Sequence, residues 1–167
     1  LEALDREVRA ARETAGGRGM IAVNVMRAVT EYRALVRQAC ASGAEAIVMG
    51  AGLPLDLPDL AADFPDVALL PIRSDARGIA LVVKKWARKG RLPDAIVIEH
   101  PKHAGGHLGA ARVEDLGDPR FDFERVVPET LGSAVGAGCP NSTVSGSATG
   151  IVGSSPFSCS GSPPGVR

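Results

Sequence analysis

The sequence predicts an α/β fold built from repeated strand–helix units, and three observations support it. Four short apolar runs begin near residues 20, 45, 67 and 94, and each is followed by a stretch with helical spacing. The runs are apolar throughout, which is typical of parallel strands buried on both faces. Each run ends in polar or glycine-rich residues, without the GxGxxG that follows the first strand of a dinucleotide-binding sheet. Doubly wound sheets and (β/α)8 barrels share the repeat, but functional residues at successive strand ends favour the barrel.

The first half of the chain is predicted to alternate helix, strand, helix and strand. Residues 2–14 place apolar side chains at helical spacing among charges, which predicts an amphipathic helix. The β-branched run 20–26 predicts a buried strand, 28–41 returns to the helical period, and 45–50 is a second strand. Glycines end both helices: Gly16, Gly17 and Gly43.

The second half continues the same alternation. Pro54 and Pro58 limit the next segment to a helical turn or two, and 67–72 is a third strand. A helix is predicted over 75–90, with Asp75 as its N-cap and Gly90 at its end. Residues 94–99 form the fourth strand.

Composition excludes several classes of function. Lys plus Arg and Asp plus Glu both number 19, so the chain is formally neutral and we expect neither a nucleic-acid nor a membrane partner. No apolar run reaches the roughly 20 residues that span a bilayer, and the charged N-terminus does not resemble a signal peptide. Three cysteines without a CxxC indicate a reducing, cytoplasmic setting and argue against a structural zinc site.

Composition changes abruptly after residue 131. Residues 132–167 hold nine of the eleven serines and a single charged residue, Arg167. We therefore expect one ordered domain over 1–131 and a low-complexity, disordered tail over 132–167, either out of frame or a natural linker. A complete (β/α)8 barrel takes about 250 residues, so we expect a partial barrel that lacks the first strand and the last three.

All three histidines lie within eight residues of one another, in the segment after the fourth strand. His100, His103 and His107 would align on one face of a helix, but Pro101 and the glycine pair at 105–106 disfavour a helix there. A metal site of this kind normally adds a carboxylate or thiolate ligand with a hydrogen-bonded second shell. We therefore predict no metal site, and expect the first two histidines to be solvated loop residues.

His107 differs because it follows Gly105 and Gly106. Glycines let the main chain approach a planar ligand closely, and the next residue is then presented to that ligand. An imidazole there can accept a proton from carbon or stabilise an anion near neutral pH. An ordinary strand–helix turn remains the alternative on these residues alone.

Three segments resemble successive motifs of the nitronate monooxygenase family, formerly called 2-nitropropane dioxygenases. They are "AVNVM", "VMGAGLP" and "EHPKHAGGHLG", and the resemblance runs in order over about 2–131. This family shares an FMN-binding (β/α)8 barrel with a flavin-dependent enoyl-ACP reductase. The resemblance implies an enzyme that oxidises alkyl nitronates with O2, through bound FMN, to carbonyl compounds and nitrite.

The resemblance also implies roles for particular residues. His107 would be the catalytic base or anion stabiliser over the reactive face of the flavin, and Asn24 would contact the flavin edge. Gly105 and Gly106 would lie along the cofactor. Further pocket-lining candidates at the strand ends are Gly50, Gly52, Ser74 and Glu99. Lys84 and Lys85 are interpreted as a solvated helix face, and Trp86 as packing in the outer layer.

The chain departs from the family pattern where the FMN phosphate would be held. Family members grip the phosphate with two glycine-bearing loops near the end of the barrel, and this chain has the Gly/Ser tail there. Two alternatives therefore stay open: an NAD(P)H-dependent flavin enoyl-ACP reductase, and an inactive fragment unable to hold FMN. The sequence leaves the oligomeric state open.

Overall fold

A computed structural model describes residues 1–104, 109–110, 112–136, 142–145 and 149–154. The helices are α1 (Glu2–Ala15), α2 (Tyr32–Ala41), α3 (Leu57–Leu60), α4 (Ala76–Ala87) and α5 (Phe123–Gly136). The strands are β1 (Ala22–Met26), β2 (Ala46–Gly50), β3 (Ala68–Arg73), β4 (Ala95–Glu99), β5 (Ser142–Ser145) and β6 (Thr149–Ser154). Every helix and strand expected up to Glu99 is present, which confirms the α/β fold class.

The sheet has the order β1-β2-β3-β4-β6-β5. The first four strands are parallel and each pairs with the next along the chain, whereas β6 is antiparallel to both β4 and β5. Four consecutive parallel strands in sequence order are compatible with part of a (β/α)8 barrel. In a doubly wound sheet the strands are also parallel, but their spatial order reverses at the switch point.

Two clusters of buried side chains pack the helices against one face of this sheet. One cluster packs α1 to α4 against alternate residues of β1, β2 and β3, such as Val25, Met49 and Leu69. A second cluster packs α4 and α5 against Ile96 and Ile98 of β4. Since strand side chains alternate between faces, the residues between these point the other way. In the part of the chain that the structure describes, every helix in the two clusters lies on this side of the sheet, and Ala46 and Ala68 on the other side are also buried.

Helix boundaries follow the expected capping chemistry. The Asp75 side chain accepts a hydrogen bond from the Gly78 N–H at 2.8 Å, which confirms the predicted N-cap. Gly16 ends α1 in the left-handed region at φ 57°. Helix α2 begins later than expected, because the Arg27 N–H bonds to the Gly50 carbonyl at 2.9 Å and keeps the chain beside β2.

Acidic residues just before β2 and β4 form hydrogen bonds with the backbone at the start of β1 and β3, respectively. The Glu45 carboxylate accepts from the Ile21 N–H at 2.9 Å, and the Asp94 carboxylate accepts from the Leu69 N–H at 2.7 Å. The Glu45 and Asp94 backbone N–H groups donate in return to the carbonyls of the same two residues. These reciprocal bonds satisfy backbone donors at the amino end of the sheet and set its register.

Helix α4 matches its expected environment. Lys84 and Lys85 are exposed, and Trp86 is fully buried with its indole N–H donating to the Pro54 carbonyl at 2.9 Å. Helix α5 was not predicted from the sequence. Pro128 lies inside it, and proline is unfavourable in the interior of a helix. The predicted boundary after Leu131 falls within this helix. None of the helices that the structure describes has the length and apolar character needed to cross a membrane.

Candidate functional site

Four of the residues predicted to form a site lie toward the carboxyl end of the parallel strands. Gly50 ends β2 and Glu99 ends β4, and Ser74 directly follows β3. Asn24 lies two residues before the end of β1, where it is in register with Val48. The structure thus brings these four positions to one edge of the sheet, which is the active-site end in βα barrels.

Asn24 and Glu99 share the face of the sheet opposite the helices that the structure describes, which we call the open face. Their neighbours Val25 and Ile98 are buried in the helix-side core, so strand alternation directs the two polar side chains to the opposite face. Asn24 is exposed and Glu99 is half-buried.

Apolar side chains lie between them on the same face. Val48 is paired in register with both Asn24 and Leu70, and Val97 is paired with Ile72. These apolar residues are all partly buried. The open face is therefore an apolar surface between two polar residues, Asn24 on β1 and Glu99 on β4.

Ser74 is covered by the segment that follows β4. The residue is only 5% exposed, and a Cβ added to Gly109 would overlap the Ser74 hydroxyl and lie 3.4 Å from Pro101 Cγ. Only glycine permits this contact. The contact anchors the later part of the loop against the end of β3.

Gly105, Gly106 and His107 lie outside the described residues. Their assignment to the flavin and to the reacting carbon stays a prediction.

The other two histidines differ from each other. The expectation that His100 is solvated is wrong, because its side chain is 12% exposed. Its Nδ1 accepts from the Lys102 N–H at 3.1 Å, its Nε2 lies 3.6 Å from Asp122 Oδ1, and its ring meets Phe123 edge-on. His103 is exposed, as expected. Among the described residues no group of His, Cys, Asp and Glu could hold a metal ion.

A charged cluster centred on Asp56 was not predicted from the sequence. The Tyr32 hydroxyl donates to Asp56 Oδ2 at 2.6 Å, and Arg33 NH2 lies 2.8 Å from the same oxygen. Arg27 Nε is 3.6 Å from Asp56 Oδ1. The guanidinium carbons of Arg27 and Arg33 lie 4.5 and 5.3 Å from the Tyr32 ring centroid, within cation–π distance.

A third arginine, Arg73, contacts the loop after β2. Arg73 donates from NH1 to the Gly52 carbonyl at 3.1 Å and lies 3.8 Å from Asp75 Oδ2. Burial lowers the pKa of the Arg73 guanidinium, and the charge of Asp75 opposes that shift. Gly52 has φ +135° and a Cβ there would lie 3.1 Å from Arg27 Cγ, so glycine is required where the loop passes Arg27.

An open pocket of about 520 Å³ lies over this cluster. Its lining combines cationic side chains, one carboxylate and the loops after β1 and β2: Arg27, Ala28, Arg33, Ala51, Gly52, Leu53, Leu55, Asp56 and Lys89. Lys89 is itself paired with Asp59. Arg27 and Arg33 therefore share a single carboxylate, that of Asp56, among the residues that line this pocket.

We predict that Tyr32 titrates above its ordinary pKa of 10.0. Burial of the phenol raises the pKa most, the hydrogen bond and charge of Asp56 raise it further, and Arg27 and Arg33 oppose the shift. A raised pKa in the folded state stabilises the fold fully below the unfolded pKa, and this contribution is lost as the pH rises through the folded pKa.

The measurement is straightforward because the chain has one tyrosine. The tyrosinate absorbance should rise with a midpoint above 10.0 while circular dichroism still reports a folded chain. Asp56→Asn should move that midpoint downward. A folded chain whose tyrosine titrates at or below the ordinary value would contradict the prediction.

The chain is therefore an α/β protein with four consecutive parallel strands, and polar residues lie toward the carboxyl ends of these strands. No protein-family model and no curated protein matches the chain.

Proposed function

We propose that this chain supplies the flavin-facing side of an FMN-dependent enzyme that oxidises alkyl nitronates with O2 to carbonyl compounds and nitrite. The observation that carries the proposal is the open face of the sheet. Its apolar surface, with Asn24 on β1 and Glu99 on β4, fits a planar ring that is apolar in the middle and polar at its edges. The consecutive strand order supports a (β/α)8 barrel as the full architecture.

The residues present have distinct tasks in this proposal. The Asn24 amide can donate and accept hydrogen bonds, so it would orient the ring edge. Gly50 ends β2 at the same edge of the sheet, and Glu99 would offer an acceptor on the far side. Ser74, covered by Gly109, would act through the position of the loop after β4. FMN, when bound, supplies the electron-transfer chemistry.

His107 would act on the substrate. An imidazole can take up a proton at the α-carbon or hold a hydrogen bond to the nitro oxygens. Pro101 and Gly109, which precede and follow this segment in the sequence, pack together beside Ser74 at the end of β3. We further propose a reducing, cytoplasmic setting, which the buried free thiol of Cys40 supports.

Flavin retention is the first experiment. The chain is incubated with FMN and desalted, and binding is then titrated by the quenching of flavin fluorescence. Asn24→Ala should weaken FMN binding about fivefold, because one hydrogen bond contributes about 1 kcal/mol. Lys85→Ala is the matched control, since Lys85 is exposed on α4 away from the open face.

The outcomes separate the candidate functions. A yellow chain that releases nitrite from a nitronate under O2 supports the proposal. Rapid anaerobic reduction of the bound flavin by NADH, without nitrite release, would contradict the proposal and support a flavin-dependent enoyl-ACP reductase instead. A colourless chain after desalting would overturn both and leave a fragment that cannot hold FMN.

A further inference from the structure

Strand β1 is an outer strand of the sheet. In the part of the chain that the structure describes, it pairs with β2 alone and comes first in the strand order. The pairing with β2 runs through all five residues of the strand without a bulge. An outer strand has a row of backbone N–H and C=O groups on its free side, and these can pair with another strand.

The hydrogen bonds to β2 show which residues of β1 face the free side. The Ile21 carbonyl accepts from β2 at 3.2 Å, and the Arg27 N–H donates to β2 at 2.9 Å. The backbone groups of successive strand residues point in opposite directions, so the odd-numbered residues between these two also face β2. The backbone groups of Ala22, Asn24 and Met26 therefore point away from β2.

The free side of β1 is not covered by any residue that the structure describes. Ala22, Asn24 and Met26 are exposed, whereas Val25 is buried. The Met26 carbonyl already accepts from the Val29 N–H at 3.2 Å. The Met26 N–H and both backbone groups of Ala22 and Asn24 have no such bond among the described residues, so they can bind a further strand.

The strand has none of the features that usually prevent pairing between outer strands. Those features are charged side chains, proline and bulges, and the sequence AVNVM contains no charge and no proline. Large apolar side chains are exposed along it and at both its ends: Met20 by 49%, Met26 by 42% and Val29 by 37%. The free side of β1 thus fits an uncharged, partly apolar strand.

We propose that this strand is β1 of a second copy of the chain, paired antiparallel about a two-fold axis at Asn24. The two Asn24 residues then exchange backbone hydrogen bonds, and each Met26 N–H donates to the Ala22 carbonyl of the other copy. A two-fold axis uses the same surface twice, so the surface must be complementary to itself.

The side chains meet this requirement. The antiparallel register places the long side chain of Met26 opposite the small one of Ala22 at both ends of the pair. It also brings Met20, which precedes the strand, toward Val29 of the other copy, which follows it. Exposed apolar side chains thereby lose contact with water in both copies.

The inference does not rest on the proposed function. The interface uses the backbone along the free side of β1, whereas the proposed flavin contacts lie on the open face. Self-association is measured without flavin, so its failure and the failure of flavin binding are distinguishable.

The first test is sedimentation velocity of the whole chain over a range of concentrations. A reversible monomer–dimer equilibrium in the micromolar range is expected, because an interface of this size binds weakly. Met26→Lys should weaken the dimer about tenfold or more, because it replaces two buried apolar side chains with charged ones. Leu81→Lys is the matched control, since Leu81 is 38% exposed on α4. A wild-type chain that stays monomeric at millimolar concentration would overturn the inference, as would unchanged association of Met26→Lys.

A double variant tests the register. Combining Ala22→Glu with Met26→Lys places a carboxylate opposite an ammonium group at both ends of the antiparallel pair, and opposite charges across two strands attract. The double variant should therefore recover most of the association that Met26→Lys loses. Emission from buried Trp86 reports that each variant is folded. A folded double variant without recovery would contradict antiparallel pairing about Asn24.

Amide hydrogen exchange tests the backbone contact directly. The Asn24 N–H should exchange more slowly as the chain concentration rises, because the second copy then accepts its hydrogen bond. The Val25 N–H faces β2 and serves as the internal control, with little change expected. Exchange at Asn24 that is independent of concentration would show that β1 does not pair with a second copy.

Discussion

Trp86→Ala should lower the free energy of unfolding by about 3–5 kcal/mol. Trp86 is fully buried in the cluster that joins α1, α2, α3 and α4 to the sheet. Truncation would leave a cavity there, because neighbouring elements can collapse only in part. The same change would also remove the donor to the Pro54 carbonyl, so the segment that leads into α3 would lose its anchor on α4.

Urea unfolding followed by far-ultraviolet circular dichroism measures this effect, since the variant has no tryptophan fluorescence. Leu81→Ala is the matched control because Leu81 lies on the same helix but is 38% exposed, and it should cost less than about 1 kcal/mol. Trp86→Phe keeps most of the volume and should cost about 1–3 kcal/mol through the unpaired Pro54 carbonyl. A Trp86→Ala chain as stable as the control would show that this cluster does not hold the helix layer together.

His107→Ala should reduce the rate of nitrite release about 10²- to 10⁴-fold, the usual contribution of a positioned acid or base. This expectation follows from the proposed function, in which His107 acts on the substrate. FMN binding should change little, because the ring is assigned to the substrate. Initial rates of nitrite formation, with FMN occupancy measured in the same samples, separate the two effects.

His103→Ala is the matched control, since His103 is exposed in the same loop. The wild-type rate should also depend on pH near neutrality, where an imidazole titrates, and His107→Ala should lose that dependence. Unchanged nitrite release by His107→Ala across the pH range would remove the imidazole from the mechanism.

The candidate site was only partly predictable from the sequence. Asn24 and Glu99 could be placed at one edge because parallel strands align their carboxyl ends, whatever the details of packing. Arg27 and Asp56 could not be paired in advance, because they belong to the loops after β1 and β2, which meet only in the folded chain. The burial of His100 was not predicted for a related reason. It depends on Phe123, the first residue of α5, and on Asp122 just before it, and Pro128 made this helix hard to predict.

The sequence by itself determined the alternation of strands and helices up to Glu99, since apolar periodicity and capping residues act over a few neighbouring positions. Tertiary structure alone decided that the helices cover a single face of the sheet, that Ser74 lies beneath Gly109, and that two arginines converge on Asp56. Those features depend on contacts between segments far apart in the chain. Local sequence patterns indicate which face of a helix or strand is apolar, but they do not indicate which distant segment of the chain packs against that face.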